Sequence, residues 1–373
     1  MKLGYFAPLP PQPSGVADYA AAMLRGLSRH GDVLVNASGD CNLYHIGNNR
    51  LHAKIYERAM ATPGVVLLHD AMLHHLLIGS LDETQYLEEF VYNYGCWTAD
   101  LARTLWRQRA RAMSEPRYFR HPLLKRISER ALSLIVHSEE ARRAVIAHNP
   151  DARVRVLPHL DLEQPDAAPT PSARERFRRE SLGLRATDVL LGVYGHLRET
   201  KRIGSVLAAL DALRTSGVPA RLLVAGAFAS DDYARVMLPR LEAHPGVILR
   251  GGTAEDKFRA LLSAADVCVN LKYPGAGECS GIAVRAMSLG VPLVVSESGG
   301  EDDYAPGTVA PIPTGPAEAQ ALTETLFWLA RDAKSRDVLR LAAREDCRVR
   351  RDPDRICAEL WQWIEDVHRG LAA

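Results

Sequence analysis

The sequence lacks a dominant charge, a long apolar run and paired cysteines. Its 373 residues carry a formal net charge of +1, which gives no general attraction to nucleic acid. No apolar run is long enough to span a bilayer. None of the six cysteines lies in a Cys-x-x-Cys pair or at zinc-ligand spacing from a histidine. We therefore expect free thiols in a reducing, cytoplasmic compartment and no nucleic-acid partner.

Other familiar signals are also missing near the N-terminus. The predicted first strand, Lys2–Phe6, begins without a long apolar signal region before it. A proline-rich loop follows this strand in place of the Gly-x-Gly-x-x-Gly turn of nicotinamide dehydrogenases, which argues against that class of enzyme. The chain has no short-period repeat and no low-complexity tract.

Strands and helices alternate in both halves of the chain. Its length is too great for one typical domain and comfortable for two. The alternation predicts two Rossmann-like, doubly wound parallel sheets that face a central cleft. The predicted strands are Lys2–Phe6, Asp32–Val35, Asn42–Ile46, Gly64–Leu68, Leu132–Val136 and Val154–Leu157 in the first half, and Val189–Tyr194, Arg221–Ala225, Val247–Leu249, Val267–Asn270 and Pro292–Ser296 in the second.

A polar segment with three prolines, Gln164–Arg179, reads as a linker between the two halves. It predicts an N-terminal domain of residues 1–165 and a C-terminal domain of residues 166–351. The amphipathic pattern Asp352–Leu371 predicts a final helix, which could simply pack on the second domain.

Polar motifs follow several predicted strands of the first half, where ligands bind in open α/β sheets. Ser14-Gly15 opens a helix, so its backbone could approach a phosphate or merely cap the helix. The segment His45-Ile46-Gly47-Asn48-Asn49 lies at the end of the predicted strand Asn42–Ile46. In His69-Asp70 the aspartate could orient the imidazole toward a sugar hydroxyl, or the pair could be structural. The spacing of His69, His74 and His75 is poor for a metal, and no metal site is predicted.

Two motifs of the second half suit a diphosphate. The turn Gly195–Arg202 combines a glycine with several cations, although such runs are often solvated loops. The stronger motif is the glycine-rich loop that carries Glu278 into a helix start at Ser280. The N–H groups of that loop and the helix dipole favour an anion, and Glu278 could accept hydrogen bonds from sugar hydroxyls or cap the helix.

The loop with Glu278 and the following Ala286–Ser296 resembles the signature of the retaining family-4 glycosyltransferases, members of the glycosyl transferases group 1. Gly195 with Lys201-Arg202 is similar to their phosphate-binding turn. The likeness covers roughly the whole chain. It implies the GT-B architecture, in which the terminal helix, about residues 352–373, packs back on the first domain. Supporting motifs lie at Pro11–Tyr19, His69-Asp70, His137-Ser138 and Pro158-His159.

The resemblance implies a retaining hexosyltransferase of polysaccharide or glycolipid assembly. The donor would be a nucleotide-diphosphate sugar and the acceptor a saccharide or a lipid-linked sugar, with no obligatory metal and no other cofactor. Lys201, Glu278 and His69 would be the catalytic residues, His69 acting by positioning and not as an essential base. The donor would contact Gly15, Gly195, His196, Arg198, Lys201, Arg250, Gly252, Thr253, Glu278, Cys279, Ser280, Gly281 and Arg285.

The sequence departs from this family at two positions. The family has a second glutamate with seven residues between it and the first; that position is Ala286 here, and Arg285 would take its place if a one-residue gap lies before it. His196 replaces the usual arginine of the phosphate turn, and Arg198 or Arg285 could supply that cation. A non-catalytic GT-B subunit, a nucleotide-sugar-binding module and another GT-B enzyme, such as a nucleotide-sugar epimerase, therefore stay open as alternatives.

The segment of residues 103–130 is rich in arginine and interleaved with aromatic residues. This composition predicts a peripheral contact with a membrane surface or with an anionic, lipid-linked acceptor. A solvated helical surface is the alternative. The expected location is the cytoplasm, including the inner face of its membrane.

Overall fold

The computed structural model describes residues 1–12, 14–113, 115–163, 168–252, 254–297 and 304–370. Its strands form two six-stranded sheets, and every neighbouring pair of strands is parallel. The strands are β1 (Leu3–Phe6), β2 (Val33–Val35), β3 (Cys41–Ile46), β4 (Val65–Leu68), β5 (Ser133–Val136), β6 (Val154–Val156), β7 (Val189–Tyr194), β8 (Ala220–Ala225), β9 (Val247–Arg250), β10 (Val267–Asn270), β11 (Leu293–Ser296) and β12 (Ala310–Ile312). Their orders are β2-β1-β3-β4-β5-β6 and β12-β11-β10-β7-β8-β9.

Helices connect successive strands, as parallel pairing requires. In chain order they are α1 (Gly15–Leu27), α2 (Ala53–Ala61), α3 (His74–Ser80), α4 (Glu83–Tyr94), α5 (Ala99–Arg107), α6 (Pro116–Phe119), α7 (Lys125–Arg130), α8 (Glu139–His148), α9 (Pro171–Leu182), α10 (Ile203–Thr215), α11 (Asp231–Ala243), α12 (Glu255–Ala264), α13 (Gly281–Ser288), α14 (Glu318–Arg331), α15 (Ala333–Arg350) and α16 (Pro353–His368).

The chain divides into two compact units. Unit 1 comprises Met1–Leu162, Pro274–Cys279 and Arg351–Ala373, and unit 2 comprises Glu163–Tyr273 and Ser280–Arg350. The first crossing therefore lies three residues before the boundary expected at residue 165. The loop Pro274–Cys279, which the sequence placed in the second domain, groups with unit 1.

Helices cover both faces of the first sheet. Side chains along a strand point alternately to opposite faces, so a doubly covered strand is apolar throughout. In β4, Val65 and Leu67 belong to the cluster that includes α1 and α16, whereas Val66 and Leu68 belong to the cluster that includes α3 and α4. This double burial explains the continuous apolar runs that made the strands recognisable in the sequence.

The helix α16 packs against α1 in unit 1. The Sγ atom of Cys357 lies 3.8 Å from the carbonyl oxygen of Met23, and Leu360 and Ile364 are fully buried in the same cluster. Gly26 leaves room for Cys357, because a side chain at Gly26 would overlap its sulfur. The helix therefore completes the core on this face of the first sheet.

The predicted linker is wrong from Pro171 onward, because α9 begins there. Thr170 caps this helix by accepting a hydrogen bond from the N–H of Ala173, and Pro171 suits its first turn. Two of the arginines that gave the segment a polar composition pair with Asp266: Arg174 over 2.7 Å, and the buried Arg178 over 3.0 Å. Residues 164–167 lie outside the described ranges.

The strand β12 was not predicted from the sequence. It has three residues, and its central Pro311 carries no N–H group to donate. Such a strand is tolerated at the edge of a sheet, which is where β12 lies. Its signal in the sequence is therefore weak.

We predict that Asp266→Ala will lower the free energy of unfolding of unit 2 by about 3 kcal/mol. The carboxylate of Asp266 accepts from Arg174 (2.7 Å), Arg178 (3.0 Å) and the backbone N–H of Leu190 (2.7 Å), so its loss leaves a buried guanidinium without its charge partner. Urea denaturation measures the change. Asp232→Ala is the control, because Asp232 and its partner Arg235 are exposed and their pair should contribute less than about 1 kcal/mol. Equal losses in the two variants would contradict the prediction.

Candidate active site

Histidines gather at the carboxyl edge of the first sheet. Parallel strands end at the same edge, so residues that follow neighbouring strands come together there. The ring of Tyr19, in α1, lies among four of these imidazoles at centroid distances of 4.5 to 6.2 Å. The buried histidines of this edge are His45, His52, His69, His137 and His159.

A ring nitrogen of His69 lies within hydrogen-bond distance of a ring nitrogen of His45. The distance from His45 Nδ1 to His69 Nε2 is 3.1 Å. Burial, reinforced by neighbouring imidazoles, lowers the pKa of His45 to about 3 and holds the pKa of His69 well below its usual value. Both rings are therefore neutral at physiological pH.

His45 contacts the His69 ring directly, and Asp70 connects the neighbouring backbone turns. The Oδ2 atom of Asp70 accepts a hydrogen bond from the backbone N–H of Asn48 over 2.7 Å. The side chain of Asn48 in turn accepts from the N–H of His75 over 2.8 Å. Asp70 and Asn48 thus connect the turn after β3 to the start of α3, directly beside His69.

The loop with Glu278 lies against the turn that follows His69. Gly277 has φ +65°, and a β-carbon there would lie 2.7 Å from the β-carbon of Ala71. Only glycine suits this conformation and this close approach. Within the loop, Glu278 Oε2 accepts from the N–H of Ala276 over 2.7 Å. Unit 1 therefore brings Glu278 and Cys279 to the same edge of the sheet as His69.

The start of α1 is capped by Ser14, whose Oγ accepts from the N–H of Ala17 over 3.1 Å. Gly15, the first residue of the helix, has open space around the position of a β-carbon. No packing contact in the described structure requires glycine there. A requirement for glycine at this position would have to come from a ligand.

In unit 2, the strand-to-helix turn after β7 lies directly against α13. Gly195 has φ +85°, and a β-carbon there would collide with the side chain of Ile282 in the first turn of α13. The backbone of the turn can therefore reach the N-terminus of that helix. This is the arrangement in which helix N–H groups bind an anion.

A polar chain joins Lys201 to the same helix start. Lys201 Nζ donates to Asn270 Oδ1 over 3.3 Å, and Asn270 Nδ2 donates to Ser280 Oγ over 3.0 Å. Ser280 caps α13 by accepting from the N–H of Ala283. Lys201 is buried, so its ammonium group is held in place beside the positive end of the helix.

The local charge at this turn is positive. Burial lowers the pKa of His196, and the charges of Arg198 and Lys201 lower it further. His196 is therefore neutral, and it replaces the cation expected at this position. The turn after β7 and the start of α13 thus bring together Gly195, His196, Arg198, Lys201, Ser280 and Gly281.

Arg285 does not face the start of α13. Its Nε donates to Glu163 over 2.7 Å, it also pairs with Glu255, and its guanidinium lies over the ring of Phe258. Glu163, whose side chain is 1% exposed, receives a second guanidinium from Arg259 over 2.6 Å. The charge of Arg285 is thus compensated within the protein, and the structure directs it to carboxylates and not to a phosphate.

The donor contacts predicted after β9 are Arg250, Gly252 and Thr253. Arg250 donates to the carbonyl groups of Leu249 and Ser181. Gly252 is exposed, with open space around it. Thr253 lies outside the described residues. Among the described residues, no group of three histidine, cysteine or acidic side chains could hold a metal ion.

The sequence does not predict the roles of Asn270 and His45, which organise the site. Asn270 is the last residue of β10, and nothing in its sequence context marks it; only its place at the end of a central strand could have suggested it. His45 was noted within a motif, but its contact with His69 depends on the pairing of β3 with β4, in which His45 lies opposite Leu67.

Residues 174–346 match the family described as glycosyl transferases group 1. No curated protein matches the chain. Among solved structures, HepE of Anabaena in complex with UDP-glucose aligns over 98% of this chain and 100% of its own, with TM-score 0.64 and 17% identity. WaaG, a glycosyltransferase involved in lipopolysaccharide biosynthesis, aligns over 98% and 99%, with TM-score 0.62 and 18% identity. Sucrose-phosphate synthase of Thermosynechococcus elongatus aligns over 88% and 74%, with TM-score 0.61 and 16% identity.

These similarities confirm the predicted fold class. The two parallel six-stranded sheets with flanking helices match the GT-B structures of HepE and WaaG. At such low sequence identity the solved structures establish the fold alone. No helix among the described residues is long and apolar enough to cross a membrane.

We predict that acidification below pH 6.5 will destabilise the fold, because several buried histidines have lowered pKa values. Burial lowers the pKa of His45 and His74 to about 3, so the unfolded state binds more protons than the folded state between about pH 3 and 6.5. Each such histidine should reduce the free energy of unfolding by up to about 1.4 kcal/mol per pH unit in that window. The stabilisation is complete above pH 6.5.

Urea denaturation at pH 7.5, 6.5, 5.5 and 4.5 measures this slope. His74→Asn should make the free energy of unfolding depend less steeply on pH, by the contribution of about one bound proton, since that variant removes one of the titrating groups. His30→Asn, at a position that is exposed, is the matched control and should leave the slope unchanged. A stability independent of pH over this range would contradict the prediction.

Proposed function

We propose that this GT-B chain is a glycosyltransferase that moves a hexose from a nucleotide diphosphate to a saccharide or lipid-linked acceptor. The observation that carries the proposal is the polar chain Lys201–Asn270–Ser280 at the start of α13. The match of residues 174–346 to the glycosyl transferases group 1 supports it. Because the HepE structure holds UDP-glucose, UDP-glucose is the first donor to test.

The donor diphosphate would bind where the turn after β7 meets α13. Backbone N–H groups of Ser280 and Gly281 and the positive end of the helix favour an anion there. Lys201 and Arg198 supply charge, and the contact between Gly195 and Ile282 holds the turn close to the helix. When the glycosidic bond to the phosphate breaks, this fixed positive field stabilises the leaving nucleotide diphosphate. Side-chain cations serve this purpose, so the proposal invokes no obligatory metal.

His69 and Glu278 are the groups that we propose to hydrogen-bond hydroxyls of the reactants. The neutral imidazole can hydrogen-bond a hydroxyl of the sugar or of the acceptor, and the carboxylate can accept from another hydroxyl. The low pKa of His69 makes it a weak base at neutral pH, so it positions the reactants and does not remove a proton from the acceptor. In the retaining reaction that we propose, the acceptor attacks from the face of the leaving group, and a departing phosphate oxygen takes its proton.

Arg285 bears on the alternative of a non-catalytic nucleotide-sugar-binding module. Neither Ala286 nor Arg285 offers a carboxylate to a ribose, and Arg285 is itself paired with Glu163 and Glu255. Turnover, and not nucleotide binding, is therefore the measurement that separates the transferase from the binding module. An epimerase would be recognised by a changed sugar nucleotide without any acceptor product.

We predict that one nucleoside diphosphate will stabilise the protein by about 2.7 kcal/mol when present at about one hundred times its dissociation constant. A thermal-shift screen with UDP, GDP, ADP, dTDP and CMP measures this stabilisation. Lys201→Ala should abolish most of the shift, because it removes the charge beside α13. Lys334→Ala, an exposed lysine of α15, is the matched control and should retain it.

Turnover of the matching sugar nucleotide with saccharide acceptors then tests the reaction. The anomeric configuration of the product, read by NMR, tests retention. A nucleotide shift without turnover or nucleotide release would favour the binding module. The absence of a shift with every nucleotide would overturn the proposed donor site.

The segment that contains Trp97 and the arginines of residues 103–130 has the composition of a lipid-binding surface. Trp97 is 83% exposed just before α5, while Ala102 and Leu105 are buried on the opposite face of that helix. Within the described part of the chain, no carboxylate pairs with Arg107, Arg109 or Arg120. An exposed indole and several exposed guanidinium groups in one segment of the chain suit the interface of an anionic bilayer. We therefore propose peripheral binding to an anionic membrane through this surface. Its exposed arginines are Arg103, Arg107, Arg109, Arg111 and Arg120.

We predict binding to vesicles that contain anionic phosphatidylglycerol and not to pure phosphatidylcholine vesicles. Each arginine near the surface should contribute about 1 kcal/mol, so the double variant Arg107→Gln and Arg109→Gln should bind at least tenfold more weakly. Trp97→Ser should also weaken binding. Trp328→Ser, at another exposed tryptophan, and Arg235→Gln are the matched controls. Vesicle flotation measures the bound fraction, and equal losses in both sets would contradict this surface.

A further inference from the structure

The contact between His45 and His69 couples the positions of their protons. Both rings are buried and neutral, and His45 Nδ1 lies 3.1 Å from His69 Nε2. A hydrogen bond between two neutral imidazoles needs one proton between these nitrogens, on one ring or the other. The structure therefore allows two tautomeric arrangements, and the surroundings of the outer nitrogens decide between them.

The neighbouring rings carry their protons on Nδ1. His52 Nδ1 lies 2.9 Å from the carbonyl oxygen of His45, His137 Nδ1 lies 3.0 Å from that of Leu157, and His159 Nδ1 lies 2.8 Å from that of Leu160. A carbonyl oxygen only accepts, so each of these nitrogens is a donor. The acceptors that surround the cluster thus fix one tautomer in three of its rings.

The outer nitrogen of His45 selects the same tautomer for that ring. His45 Nε2 is buried and has no hydrogen-bond partner among the described residues. If His69 donated, His45 Nε2 would carry an unpaired N–H group, and buried N–H groups without an acceptor are rare. If His45 Nδ1 donates, Nε2 carries only a lone pair. The donor in the contact is therefore His45.

This assignment determines where the proton of His69 lies. Its Nε2 accepts from His45, so the proton of this neutral ring must lie on Nδ1. Nδ1 of His69 makes no hydrogen bond to any described residue, and His69 is, at 8%, the most exposed of the clustered histidines. The ring thus presents an N–H donor and not a lone pair.

We propose that His45 is a positioning residue that fixes His69 as an Nδ1–H donor, so that His69 selects a ligand oxygen that accepts a hydrogen bond. The identity of that oxygen, a sugar or acceptor hydroxyl, rests on the proposed function. The tautomer itself does not depend on the function. It follows from the acceptors around the rings and from the buried, unpartnered Nε2 of His45.

Long-range proton–nitrogen NMR correlation on the full-length, nitrogen-15-labelled protein reads the tautomer directly, without a ligand. We expect His69 to be protonated on Nδ1 and not on Nε2, with its signals assigned from a His69→Gln sample. His45→Asn should retain this state, because the amide N–H of asparagine can occupy the place of His45 Nδ1. His45→Leu should allow the Nε2–H form, because no donor remains.

Wild-type protein with His69 protonated on Nε2, or a tautomer unchanged in His45→Leu, would overturn the proposal. His74→Asn is the matched control, since His74 is also buried and bonds a backbone carbonyl, that of His121. It should lower thermal stability and leave the His69 signals unchanged. This control separates an effect on the tautomer from a general loss of packing.

Turnover adds a second measurement once a donor is known. His45→Leu should reduce kcat/KM about tenfold, the size of one misdirected hydrogen bond, and His45→Asn should restore most of it. Equal losses in the two variants would mean that His45 acts by packing alone, against the proposal. If no donor turns over, the NMR measurement still decides the tautomer, so the two proposals fail separately.

Discussion

The burial of the inner strands of two parallel sheets is the constraint on which the rest of the structure depends. Strands such as β4 and β10 are buried along their whole length, with helices covering the sheet faces. A doubly covered sheet has no solvent-facing side on which polar chemistry could sit. Polar residues therefore concentrate at the carboxyl edges, where His69 follows β4 and Asn270 ends β10. The same burial keeps the imidazoles of His45 and His69 uncharged, so that each ring has one donor and one acceptor nitrogen.

This constraint also explains how much of the molecule could be predicted from its sequence. Continuous apolar strands and a glycine-rich helix start are local signals, and they predict the fold class and the start of α13. The contact between His45 and His69 and the bridge through Asn270 depend on which strands are neighbours, and no local pattern states that. The arginines of α9 misled the linker assignment, because their composition is that of a solvated segment although their charges are paired inside unit 2.

Arg285 shows how a change of charge can be absorbed by a fold. A largely buried guanidinium needs an anion nearby, and Glu163 and Glu255 supply it. Glu163 is the first residue of unit 2, so the chain enters that unit through a buried ion cluster that also includes Arg259. The charge of Arg285 is therefore part of a network and cannot be judged from this residue alone.

The discontinuity of unit 1 has a consequence for the order of events during synthesis. The apolar face of α1 is covered by α16, which the ribosome makes roughly 190 residues after Leu162. At about 5 to 20 residues per second, the first-made half waits on the order of 10 to 40 s with that face uncovered. Unit 2 is contiguous apart from one short loop and can fold in the meantime. The apolar face of α1 is thus covered by α16 only after unit 2 has been made.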